Sequence, residues 1–445
     1  MKGLARTVLL ALVTVPAFAQ AVEKQPSAKA TGKVYEWKSK DGLQYQYYLP
    51  KKFDPQQPIN LTFILHGSNL DRRWGFANHK AGQFRSDDFV VSPDGTTSNG
   101  SGGFNSLQGK KDLERLHALH QELKEMFNIR ATYLYGHSQG SFFSFFYAGA
   151  YPDEVQGLVG QASGVWIGTG ASKKHHHQAV VLMHGTADPV VGYSQSVGGL
   201  KFYEEKKYPL VRLRSLDGWN HWPTQGQTEQ QLAWCEGMTT TDHGRMAAAF
   251  TTLDEAKGVV DPVALYQVAA RVAAAPDMNP GVVKKANAAM KEVDDSAKKH
   301  AKAITKSSGK KTKKLVDKPW IGHVPLFLLH FKGVPACDAF AEKWKAVLGK
   351  QQDLGDKHST DFWRNAERSP KKAFGYGMKL VHSAFLTEAA ANKRMIEKLE
   401  GWNKAGKKAG IGKGDLKLFK TGVPVLQSAK EKGRKAFEKV SKRFR

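Results

Sequence analysis

Hydrophobic positions recur along this chain in two textures, and the change from one to the other comes near residue 240. Before it, short and mostly apolar runs at 61–65, 89–91, 132–135, 155–159, 180–183 and 211–216 are separated by longer mixed stretches. Runs of that length and character predict strands of a mostly parallel sheet, apolar because both faces are covered. Between two of them, Leu113, Leu116, Leu119, Leu123, Met126 and Phe127 fall at helical spacing. The stretch 111–127 is therefore expected to be a crossover helix packed on the sheet, with His117 and His120 on its flank. Two alternating runs, 34–37 and 43–49, are joined by Lys40-Asp41-Gly42 and predict an antiparallel hairpin. A hairpin followed by alternating strands and helices is the doubly wound α/β arrangement, whose ligands bind beyond the carboxyl ends of the strands.

After residue 240 the chain becomes rich in Ala and Lys at helical spacing, as in 259–275, 286–304, 339–348 and 380–399, without a fixed-period repeat. The Lys-rich stretch 306–314, with Ser307, Ser308 and Gly309 inside it, reads as a basic linker. A chain of 445 residues exceeds one comfortable hydrophobic core. The expected division is a signal peptide at 1–19, a polar leader at 20–32, a catalytic domain at 33–238, a helical Ala/Lys-rich segment at 239–305, the linker at 306–318 and a basic helical region at 319–445.

The first residues set the expected compartment. Lys2 and Arg6 precede an apolar stretch at 8–15, and Ala17-Phe18-Ala19 supplies the small-x-small pattern of a signal-peptidase site. The stretch is well short of the ~20 residues a spanning helix needs, so a cleaved signal and a secreted or periplasmic protein are expected. The apolar run 324–331 is likewise too short, and no transmembrane segment is expected after cleavage. Cys235 and Cys337 could join as a single bridge in an exported protein, a pairing the sequence leaves open.

Charge separates the two textures further. Of 67 Lys and Arg, 42 lie after residue 240, against 21 of 41 Asp and Glu, so +21 of the total +26 belongs to the helical part. A basic exported region suits an anionic envelope surface, and a solvated helical surface carries the same charge. Nucleic acid is not an expected partner, and 306–314 holds no aromatics to stack on bases.

The chemistry is concentrated in the first half. Gly136-His137-Ser138-Gln139-Gly140 follows the strand 132–135 and precedes a helical run at 141–148. Strand, Gly-x-Ser-x-Gly and helix together make a nucleophile elbow, in which a strained turn thrusts the serine oxygen into the open. A serine hydroxyl needs a histidine to take its proton, and that histidine needs an acid to hold its tautomer. In this fold the chain order is Ser, acid, His. The strand 179–183 ends in His184-Gly185-Thr186-Ala187-Asp188-Pro189, delivering Asp188 at a carboxyl end, and the strand 211–216 leads to Asp217-Gly218-Trp219-Asn220-His221-Trp222-Pro223. Ser138, Asp188 and His221 are the candidate nucleophile, acid and base. Asp217 is the weaker acid because it would have to fold back on its own loop, and Asp153 sits at the wrong end of the sheet. The oxyanion needs two backbone donors, assigned to the amides of Gln139 and of Ser68 in His66-Gly67-Ser68-Asn69, where Gly67 permits close approach. His66 is expected to bond within its own loop.

Together with Ser92-Pro93-Asp94-Gly95 and His184-Gly185-Thr186-Ala187-Asp188-Pro189-Val190-Val191, these motifs resemble those of secreted polyhydroxybutyrate depolymerase-like and feruloyl-esterase-like hydrolases. The resemblance covers about residues 33–238. It implies the α/β-hydrolase fold and a carboxylester hydrolase that needs no cofactor or metal, acting on a small-molecule or polymeric ester. Trp219 and Trp222 adjoin His221 and are candidate substrate contacts; Trp74 and Trp166 lie on loops near the same mouth. The aromatics Phe142, Phe143, Phe145, Phe146 and Tyr147 read as core, and His175-His176-His177 as a solvated loop, because three adjacent rings cannot converge on one ion. The expectation is a secreted serine esterase forming an acyl-enzyme on Ser138. An acyltransferase or peptidase would use the same three residues, and an envelope-binding protein with an inactive hydrolase domain is the reading from another class.

Overall fold

The structure, a computed structural model, describes residues 31–98, 105–222, 224–308, 320–382, 389–441 and 443–444. The signal peptide, nearly all of the leader, and most of the expected linker lie outside these residues. Eight strands form one sheet in the order β1-β2-β4-β3-β7-β8-β9-β10: β1 (Val34–Lys38), β2 (Gln44–Tyr48), β3 (Ile59–Leu65), β4 (Phe89–Pro93), β7 (Ile129–His137), β8 (Gly157–Gln161), β9 (Ala179–Gly185) and β10 (Val211–Leu216). The two-residue strands β5 (Thr97–Ser98) and β6 (Asn105–Ser106) pair separately. The hairpin β1–β2 is antiparallel and β2 runs antiparallel to β4, while every pair from β4 through β10 is parallel.

The apolar runs become strands because each is covered on both faces. All residues of β3, β4, β8 and β9 are buried. On one face, Leu61, Phe63, Leu134, Leu158 and Val180 pack against Leu116, Leu119 and Leu123 of the helix Gly109–Met126 and against Phe143, Phe145 and Tyr147 of the helix Gln139–Ala150. His120 departs from its expected place on the helix flank. It is fully buried, bonded to Thr132 Oγ1 at 2.8 Å and to the Tyr147 hydroxyl at 3.0 Å, since its position on the helix faces β7.

On the other face, Ile64, Tyr133, Val159 and Val181 meet Leu232 and Trp234 of the helix Gln225–Thr239. That core does not end there. It continues without interruption through Met246 and Phe250 (helix His243–Asp254), Val263 and Val268 (Pro262–Ala274), Val293 and Ile304 (Pro280–Ser308), and Phe327 and Phe331 (Trp320–Phe331), to Phe437 and Phe444. Buried ion networks fasten the same elements. Arg85 bonds Asp88 and Glu236, Arg245 reaches both acids, and Asp261 accepts from Arg212 while capping the helix Pro262–Ala274. Such pairs add little net stability over an apolar core but make losing one partner costly, about 3–5 kcal/mol. The helices Lys345–Asn365, Pro370–His382 and Ala389–Ala405 gather around a smaller cluster of Phe362, Phe374, Met395 and Leu399. The helix expected over 380–399 falls partly on 383–388, outside the described residues.

Cys235 and Cys337 are both buried and free. Among the described residues, no helix is long and apolar enough to cross a membrane.

Candidate active site

The elbow is built by close approach. β7 runs directly into the helix Gln139–Ala150, and Ser138 between them has φ 52° and ψ −117°. A side-chain-bearing residue there stores about 1–3 kcal/mol of backbone strain. A Cβ on Gly140 would come within 2.2 Å of the Leu65 carbonyl oxygen, and one on Gly136 within 2.4 Å of the Gly140 oxygen. Only glycine closes the turn at both places. The strain is held by packing around it: the Ser138 amide donates to the Gln161 carbonyl at 2.8 Å.

Asp188 lies buried on the loop after β9, and His221, also buried, on the loop after β10. Asp188 Oδ2 accepts from His221 Nδ1 at 2.8 Å and from His184 Nε2 at 3.1 Å, while Oδ1 accepts the amides of Val190 and Val191 at 2.8 and 2.9 Å. Burial by itself would raise this carboxyl group; hydrogen bonds from His184, His221 and the two amides outweigh it and hold the group well below the ordinary carboxylate range. With the hydrogen of His221 on Nδ1, the lone pair sits on Nε2, the nitrogen that can act as base. Asp217 instead accepts from the Thr186 hydroxyl at 3.4 Å, and Asp153 lies in the short turn Pro152–Glu154.

The loop after β3 closes on the elbow. A Cβ on Gly67 would stand 3.2 Å from that of Ser138. The Ser68 hydroxyl donates to Gln139 Oε1 at 2.6 Å, and Gln139 Nε2 donates to Gln108 Oε1 at 2.7 Å, so the two residues assigned to the oxyanion are joined side chain to side chain. His66 is buried, with Nδ1 2.9 Å from the Gly67 oxygen and Nε2 accepting the Gly95 amide at 3.1 Å. Asp94 bonds the Arg72 amide and guanidinium at 2.8 and 2.7 Å and anchors this loop from behind.

The candidate aromatic residues lie at different depths. Trp222 is half exposed, stacks on His137 with ring centroids 5.3 Å apart and meets the His221 ring edge-on. Trp219 is half-buried against the core that the helices share, and Trp74 is buried, stacked on His137 at 4.9 Å. Trp166 stacks on Phe142 at 5.8 Å. In the histidine run, His176 bonds the Lys206 carbonyl and His177 those of Lys174 and Pro152.

Two contributors to this geometry went unassigned in the sequence, His184 and Gln161. His184 stands inside the same strand-end string as Asp188. Gln161 is a lone polar residue closing an apolar strand, and that isolation was the available signal.

Residues 110–176 match the family model described as the alpha/beta hydrolase fold. Over 169 residues the chain is 29% identical to a bifunctional acetylxylan esterase/xylanase of Neocallimastix patriciarum, covering 37% of this chain and 24% of that protein. The chain thus spans about a quarter of the length of that curated relative. Among solved structures it is similar to the ferulic-acid-bound esterase Est1E of Butyrivibrio proteoclasticus (17% identity, 45% of this chain, 95% of the other, TM-score 0.32). It is also similar to a Bacillus cereus carboxylesterase (19% identity, 44% of this chain, 94% of the other, TM-score 0.35). By its strand order and the family-model match over residues 110–176, the chain has the α/β-hydrolase fold, and a bifunctional esterase/xylanase is among the proteins it is similar to.

Proposed function

We propose that this chain is a secreted serine carboxylester hydrolase. The observation that carries it is the 2.8 Å bond from His221 Nδ1 to a buried Asp188, with the His221 ring 4.9 Å from that of His137, the residue before a serine held at positive φ on its elbow. Ser138 Oγ attacks the ester carbonyl as its proton passes to His221 Nε2, and Asp188 stabilises the imidazolium. The amides of Ser68 and Gln139 receive the oxyanion, in a position where each donor is worth about 3–4 kcal/mol. Collapse expels the alcohol, which takes the proton from His221, and leaves an acyl-serine. Water, deprotonated by His221, then releases the acid. Trp222, exposed beside both rings, is the proposed substrate contact nearest the base, with Trp219 behind it. A fluorophosphonate probe tests the chemistry: labelling of the wild type that disappears in Ser138→Ala is expected, and a folded wild type that never takes label would refute it.

The basic helical region is assigned to retention on an anionic envelope polymer. Its support is the net +21 after residue 240 and the exposure of Lys284, Lys285, Lys299 and Lys302 along one long helix. Because Met246, Phe250, Val263 and Val268 share the sheet's core, the test keeps the full chain. Retention on an immobilised acidic polymer should fall as the Debye length shrinks from about 10 Å at 0.1 M salt to about 3 Å at 1 M, and fall again when those four lysines become glutamate. Retention indifferent to both changes would remove the assignment.

A further inference from the structure

The carboxyl end of β8 supplies none of Ser138, Asp188 or His221, yet it is bonded to the segment that carries each. Gln161, its last residue, is 1% exposed. Its main-chain oxygen accepts the Ser138 amide at 2.8 Å, and its side-chain Nε2 donates to the His221 carbonyl oxygen, also at 2.8 Å. Its Oε1 accepts from His137 Nδ1. Two residues on, the Ser163 carbonyl takes the Ser196 hydroxyl at 2.5 Å; the Ser196 oxygen meets His184 Nδ1 at 2.7 Å, and His184 Nε2 reaches Asp188. Between them Ala162 is held at φ 59°, with its amide on the Met183 carbonyl at 2.9 Å. A second strained residue thus stands at the strand end next to the elbow.

The hydrogen-bond chemistry fixes how Gln161 is oriented. A carbonyl oxygen only accepts, so the bond to His221 turns the NH2 group toward the histidine loop and leaves Oε1 facing His137. That places a hydrogen on His137 Nδ1. Burial keeps this ring neutral, pushing the imidazole down to about 4 against the Gln161 bond, which favours the protonated form. Neutrality matters because the His137 and His221 rings are 4.9 Å apart, and His221 becomes cationic when it takes the serine proton. A second cation at that distance would oppose the step.

We infer that Gln161 is a positioning residue for the hydrolysis: it holds the peptide of the nucleophile and the peptide of the base at one separation. This rests on the hydrolase function proposed above.

Two full-length variants test it. Gln161→Met removes both side-chain bonds at similar volume. Gln161→Glu keeps the shape and the oxygen facing His137, loses the donor to His221 and adds a negative charge. Each is assayed on a short-chain ester, by fluorophosphonate labelling rate and by urea unfolding. Folded variants are expected to lose about tenfold to a hundredfold in kcat and labelling rate, with KM held within about twofold. In Gln161→Glu the acid limb of the kcat/KM profile should also move to higher pH, since a nearby anion favours protonated histidine. Should Gln161→Met not fold, the isosteric variant carries the test. Wild-type rates and an unmoved acid limb in a folded variant overturn the inference and leave the hydrolase standing; a wild type that never takes label overturns both.

Discussion

His184 and His221 bond the same carboxylate oxygen, Oδ2 of Asp188, at 3.1 and 2.8 Å. With two backbone amides on the other oxygen, the carboxylate has four donors and no freedom to turn. A carboxylate held in this way fixes the tautomer of His221.

Asp188→Asn should therefore lower kcat/KM on a short-chain ester by on the order of 10³–10⁴-fold, because an amide NH2 facing His221 favours the wrong tautomer. His184→Leu removes one of the four donors and should cost about tenfold, as expected for a hydrogen bond to a charged group. A His184→Leu enzyme with full activity would show that the amides of Val190 and Val191 orient the acid unaided.

Strain at Ser138 should be measurable as stability. Ser138→Gly and Ser138→Ala both remove the hydroxyl, but only glycine adopts φ 52°, ψ −117° without strain. Glycine relieves about 1–3 kcal/mol of strain and adds up to about 1 kcal/mol of unfolded-chain entropy, so Ser138→Gly should be the more stable by about 1 kcal/mol in urea unfolding. Equal stability would mean the turn stores no such strain.

A pair of buried histidines makes the helical region sensitive to acid. His300 Nδ1 and His323 Nε2 are 2.8 Å apart, with His300 stacked against Phe327 and Phe437 and packed beside Phe331. Burial pushes His300 down to about 3 and His323 to about 4. Unfolded histidine titrates near 6.5, so the unfolded chain takes up protons first as pH falls; the stability from the neutral pair is complete above about 6.5 and lost from there down to about 4 for His323 and about 3 for His300. The loss between pH 7 and 5 should be on the order of 1–2 kcal/mol per histidine. His79 and His137, pushed down to about 3 and about 4, act in the same direction. The pair's share is thus the difference in urea unfolding between wild type and the double variant His300→Phe, His323→Leu. Identical pH slopes in the two would remove the pair as a cause.

Much of the fold was legible along the chain because strands covered on both faces leave continuous apolar runs. The run 211–216 coincides with β10, and β3, β7 and β9 extend their runs by a few residues at one or both ends. β8 was displaced: the run 155–159 becomes Gly157–Gln161, because glycines at 157 and 160 interrupt the apolar signal while allowing neighbours to pack close. For the site, chain order and position at strand ends put forward Ser138, Asp188 and His221 as candidates, and the structure bonds the last two. No local pattern could show that Asp188 serves two histidines.

By itself the sequence determined the alternation of strand and helix, the elbow and its glycines, and the division of charge between the two halves. These depend on neighbours along the chain, whose periodicity and spacing are written locally. Tertiary structure alone decided the burial of His120, the joining of the Ser138 and His221 peptides through Gln161, and the sharing of one core between the sheet and helices as distant as the one carrying Phe437. Each is a contact between segments tens to hundreds of residues apart, and such contacts leave no trace in local spacing.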